Sequence, residues 1–137
     1  MNSKNQYLLM FIGKEWYNEL STAEIQEVIE RSRVWVEGLA AAGKVKGGQV
    51  LGRESATITG TSARVISDGP FAESKEAVGG YLLLEAASME EAIAIAQENP
   101  SVAHGTTIEI RPVIDECPLN IRARSLASEV QLTEAIA

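Results

Sequence analysis

The residues best suited to chemistry in this chain are one carboxylate and one imidazole. Asp68 precedes Gly69 and Pro70, and His104 is the only histidine of the sequence. Histidine is the side chain that changes its charge most readily near neutral pH, and a carboxylate beside it can accept or orient a proton. If the two side chains meet in a cleft, they could catalyse proton transfer, as in an isomerisation or an elimination. We therefore take Asp68 and His104 as the candidate catalytic residues.

Each of these residues also has an ordinary structural interpretation. An aspartate before Gly-Pro commonly forms an Asx turn, in which its side chain accepts a hydrogen bond from the backbone two residues later. His104 could equally be a solvent-exposed loop residue or cap the end of the preceding helix. The sequence leaves both alternatives open.

A second set of residues could line a ligand-binding cleft. Arg64 and Arg111 lie in strand-like runs and could bind an anionic molecule, although cross-strand ion pairs are the commoner role for such residues. Aromatic candidates are Trp16, which follows the first apolar run, Tyr81, and Phe71 of the Asp-Gly-Pro-Phe segment. Aromatic side chains at these places can equally be surface or subunit contacts.

Several common site patterns are absent from the sequence. The pairs Gly47-Gly48 and Gly79-Gly80 lack the spacing of a phosphate-binding loop, and no Gly-x-Ser-x-Gly elbow occurs. One histidine and one cysteine, Cys117, do not provide the ligand spacing of a zinc site. We therefore predict no metal site and no bound cofactor.

Composition indicates one globular domain. The chain has 137 residues, of which 45% are hydrophobic, and its net charge is −7. That acidity argues against a nucleic-acid partner and against an anionic membrane surface. The lone cysteine allows no internal disulfide, and the apolar run Tyr7–Ile12 is too short to span a bilayer, so we predict a cytoplasmic protein.

The hydrophobic pattern predicts alternating strands and helices. Ser21-Thr-Ala-Glu24 has the spacing of a capping box and begins a helix that we expect to end near Gly43. A second helix begins at Ser88 and ends before Pro100. The predicted strands are Tyr7–Ile12, buried on both faces, a hairpin from 56–59 and 63–66, Gly79–Ala87, and Thr106–Pro112, with a further short strand at 49–51.

This order of elements predicts a ferredoxin-like α+β sandwich, an antiparallel sheet with both helices on one face. We assign the domain to residues 1–114 and a weakly helical C-terminal extension to 115–137. The other sheet face would be uncovered, so we predict that it packs against a second copy in a homodimer. We also expect the last strand to neighbour the strand that leads to Asp68.

Three blocks of sequence together resemble a known family. They are Val65-Ile-Ser-Asp-Gly-Pro-Phe-Ala-Glu-Ser-Lys-Glu76, Gly79-Gly-Tyr-Leu-Leu-Leu-Glu85 and Ile108-Glu-Ile-Arg-Pro-Val113. In this order, over roughly residues 6–114, they resemble the YCII-related proteins of the DGPF type.

The resemblance implies a dimeric α/β-barrel-type arrangement of ferredoxin-like domains. It also implies a cleft that binds a small organic molecule, in which the signature aspartate, here Asp68, meets a histidine. The early histidine of the wider family has no counterpart, since Phe11–Lys14 occupies that region and His104 lies near the last strand. Some relatives are linked to sigma factors, so the alternative function is a non-catalytic regulatory module in signalling or sigma-factor-dependent transcription.

Overall fold

A computed structural model describes residues 2–62, 64–69 and 77–136. The elements are β1 (Asn2–Gly13), α1 (Thr22–Ala41), β2 (Val45–Val50), β3 (Ser55–Thr59), β4 (Arg64–Gly69), β5 (Ala77–Glu85), α2 (Met89–Gln97), β6 (Thr107–Ile114) and α3 (Pro118–Ile136). Two short 3-10 helices lie at Trp16–Glu19 and Pro100–His104.

The main sheet has four strands in the order β2-β5-β1-β6, and each neighbouring pair is antiparallel. A mixed α+β chain with this strand order is compatible with the predicted ferredoxin-like fold. The predicted hairpin also forms, as β3 and β4, but it makes a separate two-stranded sheet. The last strand was expected to lie beside the strand that leads to Asp68, which is β4. This expectation was wrong, because the last strand, β6, pairs with β1, whereas β4 pairs with β3.

Helix α1 begins and ends where its sequence signals predicted. The Ser21 side chain accepts a hydrogen bond from the Glu24 amide (3.2 Å), and the Ser21 amide donates to the Glu24 carboxylate (2.9 Å). Hydrogen bonds to the Glu24 carboxylate, from the Ser21 backbone first and the Ser21 side chain second, hold the pKa of Glu24 below its ordinary value. Gly43, at φ +73°, follows the helix in the left-handed conformation that glycine adopts without strain.

The core lies between one face of the main sheet and the helices α1 and α2. Leu9 and Leu84, from the two central strands, have no exposed surface, and Ala92 and Ala96 of α2 pack with them. Trp35 of α1 packs against this cluster. Because all these strand residues lie on one face, the two helices cover that face together.

Trp35 also joins the two helices directly. Its indole Nε1 donates a hydrogen bond to the Ile95 carbonyl in α2 (3.0 Å), and its ring meets Phe11 edge-on with ring centres 6.4 Å apart. Near the other end of the helix pair, Lys44 Nζ lies 2.6 Å from a Glu91 carboxylate oxygen. This half-exposed ion pair lowers the pKa of Glu91, chiefly through the hydrogen bond from Lys44.

The opposite face of the main sheet, which we call the open face, carries no helix from this chain among the described residues. Pairing places Leu8 beside both Leu83 and Arg111, and Met10 beside Tyr81. Leu8, Met10, Tyr81 and Leu83 are all half-buried. The sequence predicted that β1 is buried on both of its faces. Within a single chain, only the face that the helices cover is buried in this way.

Helix α3 lies outside the sandwich. Every side chain described from 117 to 132 is exposed. These include the large apolar residues Leu119, Ile121, Leu126, Val130 and Leu132. Despite these apolar side chains, neither α3 nor any other helix among the described residues is long and apolar enough to cross a bilayer.

Candidate functional site

Two adjoining clefts open on the helix-covered side of the sheet. The large cleft, of about 590 Å³, lies between α1 and the edge formed by β2 and β5. The small cleft, of about 280 Å³, lies at the end of β1. Phe11, Val50 and Gly79 line both of them. The two clefts therefore adjoin at these three residues.

The lining of the large cleft is uncharged throughout the described residues. Helix α1 contributes Ser32, Trp35 and Val36, and the strands contribute chiefly apolar side chains and glycines. Among the residues that the structure describes, no aspartate, glutamate, lysine, arginine or histidine borders it. A surface of this kind favours an apolar ligand over an ion, because its described residues offer a charged group no counter-charge, only the polar groups of Ser32, Gln49 and Asn99.

Two glycines on adjacent strands form the floor of the large cleft. Pairing brings Gly48 of β2 beside Leu82, and Gly80 of β5 beside Phe11 and Val50. A Cβ atom at Gly48 would lie 2.7 Å from the Tyr81 carbonyl oxygen, and one at Gly80 would lie 2.9 Å from that of Gln49. Both positions thus require glycine for the strands to pair as they do, and the floor consists of backbone together with the Leu82 side chain, whose Cδ1 would lie 3.2 Å from a Cβ atom at Gly48.

The small cleft contains the charged groups that the large one lacks. Lys14, Glu15 and Arg53 line it, together with the nearly buried Thr106. The guanidinium of Arg53 donates from Nη1 to the Gly13 carbonyl (3.2 Å), and its Nε lies 3.5 Å from a Glu15 carboxylate oxygen. The Arg53 and Glu15 side chains are only 18% and 20% exposed, so this pair is more shielded from water than a surface ion pair.

His104 does not line the small cleft, but it contacts a residue that does. Its ring stacks on that of Trp16, with centres 5.5 Å apart and planes 13° from parallel, and Trp16 lines the cleft. His104 ends the 3-10 helix 100–104, which Gly105 closes at φ +110°. The charge of His104 also makes a small contribution to the lowered pKa of Glu24, after the larger effect of the Ser21 hydrogen bonds.

Asp68 occupies an irregular position in β4. Ser55 pairs with Gly69 and Ala56 pairs with Ser67, so Asp68 is the extra, unpaired residue of a β-bulge. Bulges bend a strand and redirect a side chain, and they are frequent beside active sites. The backbone of Asp68 is described, whereas its side chain lies outside the described part of the chain.

Comparison with known proteins identifies the family. The model of the YCII-related domain matches residues 8–116, which is most of the chain. The chain belongs to the YCII-related family. This confirms the resemblance of the three sequence blocks.

A known relative of this YCII-related protein is an uncharacterised protein of Rhizobium meliloti (strain 1021). The two are 40% identical over 53 residues, which cover 36% of this chain and 40% of the relative. The match thus spans less than half the length of that relative. It supports kinship and assigns no activity.

The other predicted site residues of this YCII-related protein lie in different places. Tyr81 borders the large cleft, but it alternates with Leu82, so its side chain belongs to the open face. Arg111 is exposed on the same open face and lines neither cleft. Arg64 begins β4 opposite Thr59. Phe71 and the rest of 70–76 lie outside the described residues.

Sequence reasoning did not assign the residues that shape the two clefts. The apolar pattern of α1 is compatible with either Trp35 or Val36 on one helical stripe, and it does not distinguish a cleft wall from a core residue. Arg53 lies in a loop between two strands and belongs to no motif. Glu15 becomes notable only because folding brings it beside Arg53.

The described residues offer no evident metal centre. They contain no group of three or more His, Cys, Asp or Glu side chains placed to hold an ion. Cys117 is exposed and forms no disulfide.

Proposed function

We propose that this YCII-related protein binds a small organic molecule in the large cleft and performs acid/base chemistry at the small one. The observation that carries this proposal is the junction at Phe11, Val50 and Gly79, where an uncharged cleft meets one that contains charged groups. A volume of about 590 Å³ lies in the range of small-molecule sites. Apolar walls would hold the body of the ligand, and polar groups at one end would orient it.

The binding proposal can be tested with the two tryptophans of the chain. Trp35 lines the large cleft and Trp16 lines the small one, so their indole N–H signals in a ¹H–¹⁵N spectrum report on separate sites. A library of small metabolites is added to the protein. We expect at least one compound to shift the Trp35 signal saturably.

A matched pair of variants would localise that binding. Val36→Phe adds bulk at the lining of the large cleft, whereas Val34→Phe adds the same bulk on the same helix outside it. Val34 is 58% and Val36 is 39% exposed, so we expect both variants to fold. Affinity should fall at least tenfold in Val36→Phe and stay unchanged in Val34→Phe. Failure of every compound to shift Trp35 would contradict the proposal.

The acid/base proposal assigns the proton-carrying groups to Asp68 and His104. Its support is the bulge at Asp68 and the stacking of His104 on a wall residue of the small cleft. A double-mutant cycle with Asp68→Asn and His104→Gln tests whether the two side chains interact. We expect a coupling of about 0.5–3 kcal/mol in the free energy of unfolding, as for residues in contact. Effects that add to within about 0.3–0.5 kcal/mol would remove the pair from the mechanism.

We also propose that the protein is a homodimer that buries the open face. Half-buried apolar side chains such as Leu8 and Leu83 on that face support this arrangement. Sedimentation velocity should give twice the chain mass of 14.7 kDa. Leu83→Arg should yield monomers, whereas Ile58→Arg should not, because Ile58 is 68% exposed in the separate β3–β4 hairpin. A wild-type monomer at micromolar concentration would disprove the proposal.

A further inference from the structure

The lining of the large cleft defines a class of ligand. Charged residues make up 23% of the chain, yet none of the described residues at this cleft is charged. An ion placed against this lining would meet no counter-charge from the described residues, which is unfavourable wherever the ion leaves water. The chain's net charge of −7 would add a further penalty for an anion. The described lining therefore favours a ligand whose body is uncharged.

The shape of the cleft favours a flat molecule. At its floor, the pairing of the strands excludes a side chain on Gly48 and on Gly80, and the Leu82 side chain lies beside Gly48. Trp35 and Phe11, whose rings stand at 88° to each other, provide aromatic surfaces against which another ring can pack. A flat ring can lie closely against these aromatic surfaces and the strand backbone, which a puckered molecule cannot do as well.

The small cleft adds one polar requirement. It adjoins the large cleft at Phe11, Val50 and Gly79, and beyond that junction lie Lys14, Glu15 and the Thr106 side chain. Hydroxyl and carbonyl groups can exchange hydrogen bonds with such side chains without bringing a charge through the large cleft. A ligand that occupies both clefts therefore carries its polar group at one end.

We infer that this protein binds a flat, uncharged ring compound, an aromatic or conjugated cyclic alcohol or ketone, with its ring in the large cleft and its oxygen at the small one. This inference rests on the proposed function, and it states which small molecules the cleft selects. Ring packing supplies affinity, and the oxygen sets the orientation of the ring relative to the charged groups.

Probes that share one carbon skeleton test the two parts of the inference. At pH 7, 2-naphthol is neutral, 6-hydroxy-2-naphthoate is an anion and 6-(aminomethyl)-2-naphthol is a cation, and both ions carry their charge on the ring opposite the hydroxyl, which is the end that enters the large cleft. Decahydro-2-naphthol keeps the hydroxyl and the two rings but is not flat. Binding is followed by the Trp35 and Trp16 indole signals. We expect 2-naphthol to bind at least tenfold more tightly than each of the other three, and Val36→Phe, unlike Val34→Phe, to lose that binding.

Each outcome has a defined meaning. Equal or tighter binding of either ion would overturn the assignment of an uncharged ligand, and equal binding of decahydro-2-naphthol would overturn the requirement for flatness. If none of the four probes shifts Trp35 while another library compound does, this inference fails and the proposed function stands. If no compound of any kind shifts Trp35, the two fail together.

Discussion

Replacing Leu84 by alanine is expected to lower the free energy of unfolding by about 2–5 kcal/mol. Leu84 is fully buried in β5, where it pairs with Tyr7 on one side and Val45 on the other. Replacing its isobutyl side chain by a methyl group would leave a void between the sheet and the helices, because the neighbouring strands and α2 are held by many other contacts. Urea denaturation followed by circular dichroism would measure the loss.

A substitution on the exposed edge of the same sheet provides the control for Leu84. Val50 lies on β2, on the same helix-facing side as Leu84, but it is 90% exposed. Val50→Ala should therefore change the free energy of unfolding by no more than about 0.5 kcal/mol. Equal effects of the two substitutions would show that the core does not lie where the structure places it.

The second large effect on stability is expected for a substitution of Gly48, in the floor of the large cleft. Gly48→Ala should destabilise the protein by about 1–3 kcal/mol, as overpacking does. The new methyl group would lie 2.7 Å from the backbone carbonyl oxygen of Tyr81, and backbone of a central strand cannot move aside as a flexible side chain can. Separation of β2 from β5 is the expected response, and thermal unfolding would detect it.

The neighbouring glycine tests this explanation. A Cβ atom at Gly47 meets no other atom within 4 Å, so Gly47→Ala should be neutral or stabilising by up to about 1 kcal/mol. Because both glycines lie in β2, loss of glycine flexibility in the unfolded chain is the same for the two variants. Similar melting temperatures for the two variants would contradict the collision at position 48.

Local signals in the sequence were sufficient for much of the fold. Ser21 and Glu24 form the predicted capping box, and Gly43 follows α1 in a left-handed conformation. These features depend on residues within one helical turn of each other, so they can be recognised without knowing the rest of the structure. The β3–β4 hairpin and the YCII-related membership were likewise predicted from short segments.

Long-range pairing could not be predicted in the same way. The expectation that the last strand would lie beside the Asp68 strand failed, because β6 instead pairs with β1 and the hairpin forms its own sheet. The apolar pattern of a strand shows which face it buries but not which strand it pairs with. Partner choice depends on the closure of the loops and on packing over the whole domain.

By itself the sequence determined the family, the α+β class, the boundaries of α1 and α2 and the presence of one histidine, because each follows from residue identity or from neighbours along the chain. Only the tertiary structure decided that His104 stacks on Trp16, that Arg53 lies beside Glu15, and that glycines of two strands form one cleft floor. These residues are 88, 38 and 32 positions apart, counted between their numbers in the chain. Contacts over such separations arise from the packing of complete elements, which no local pattern encodes.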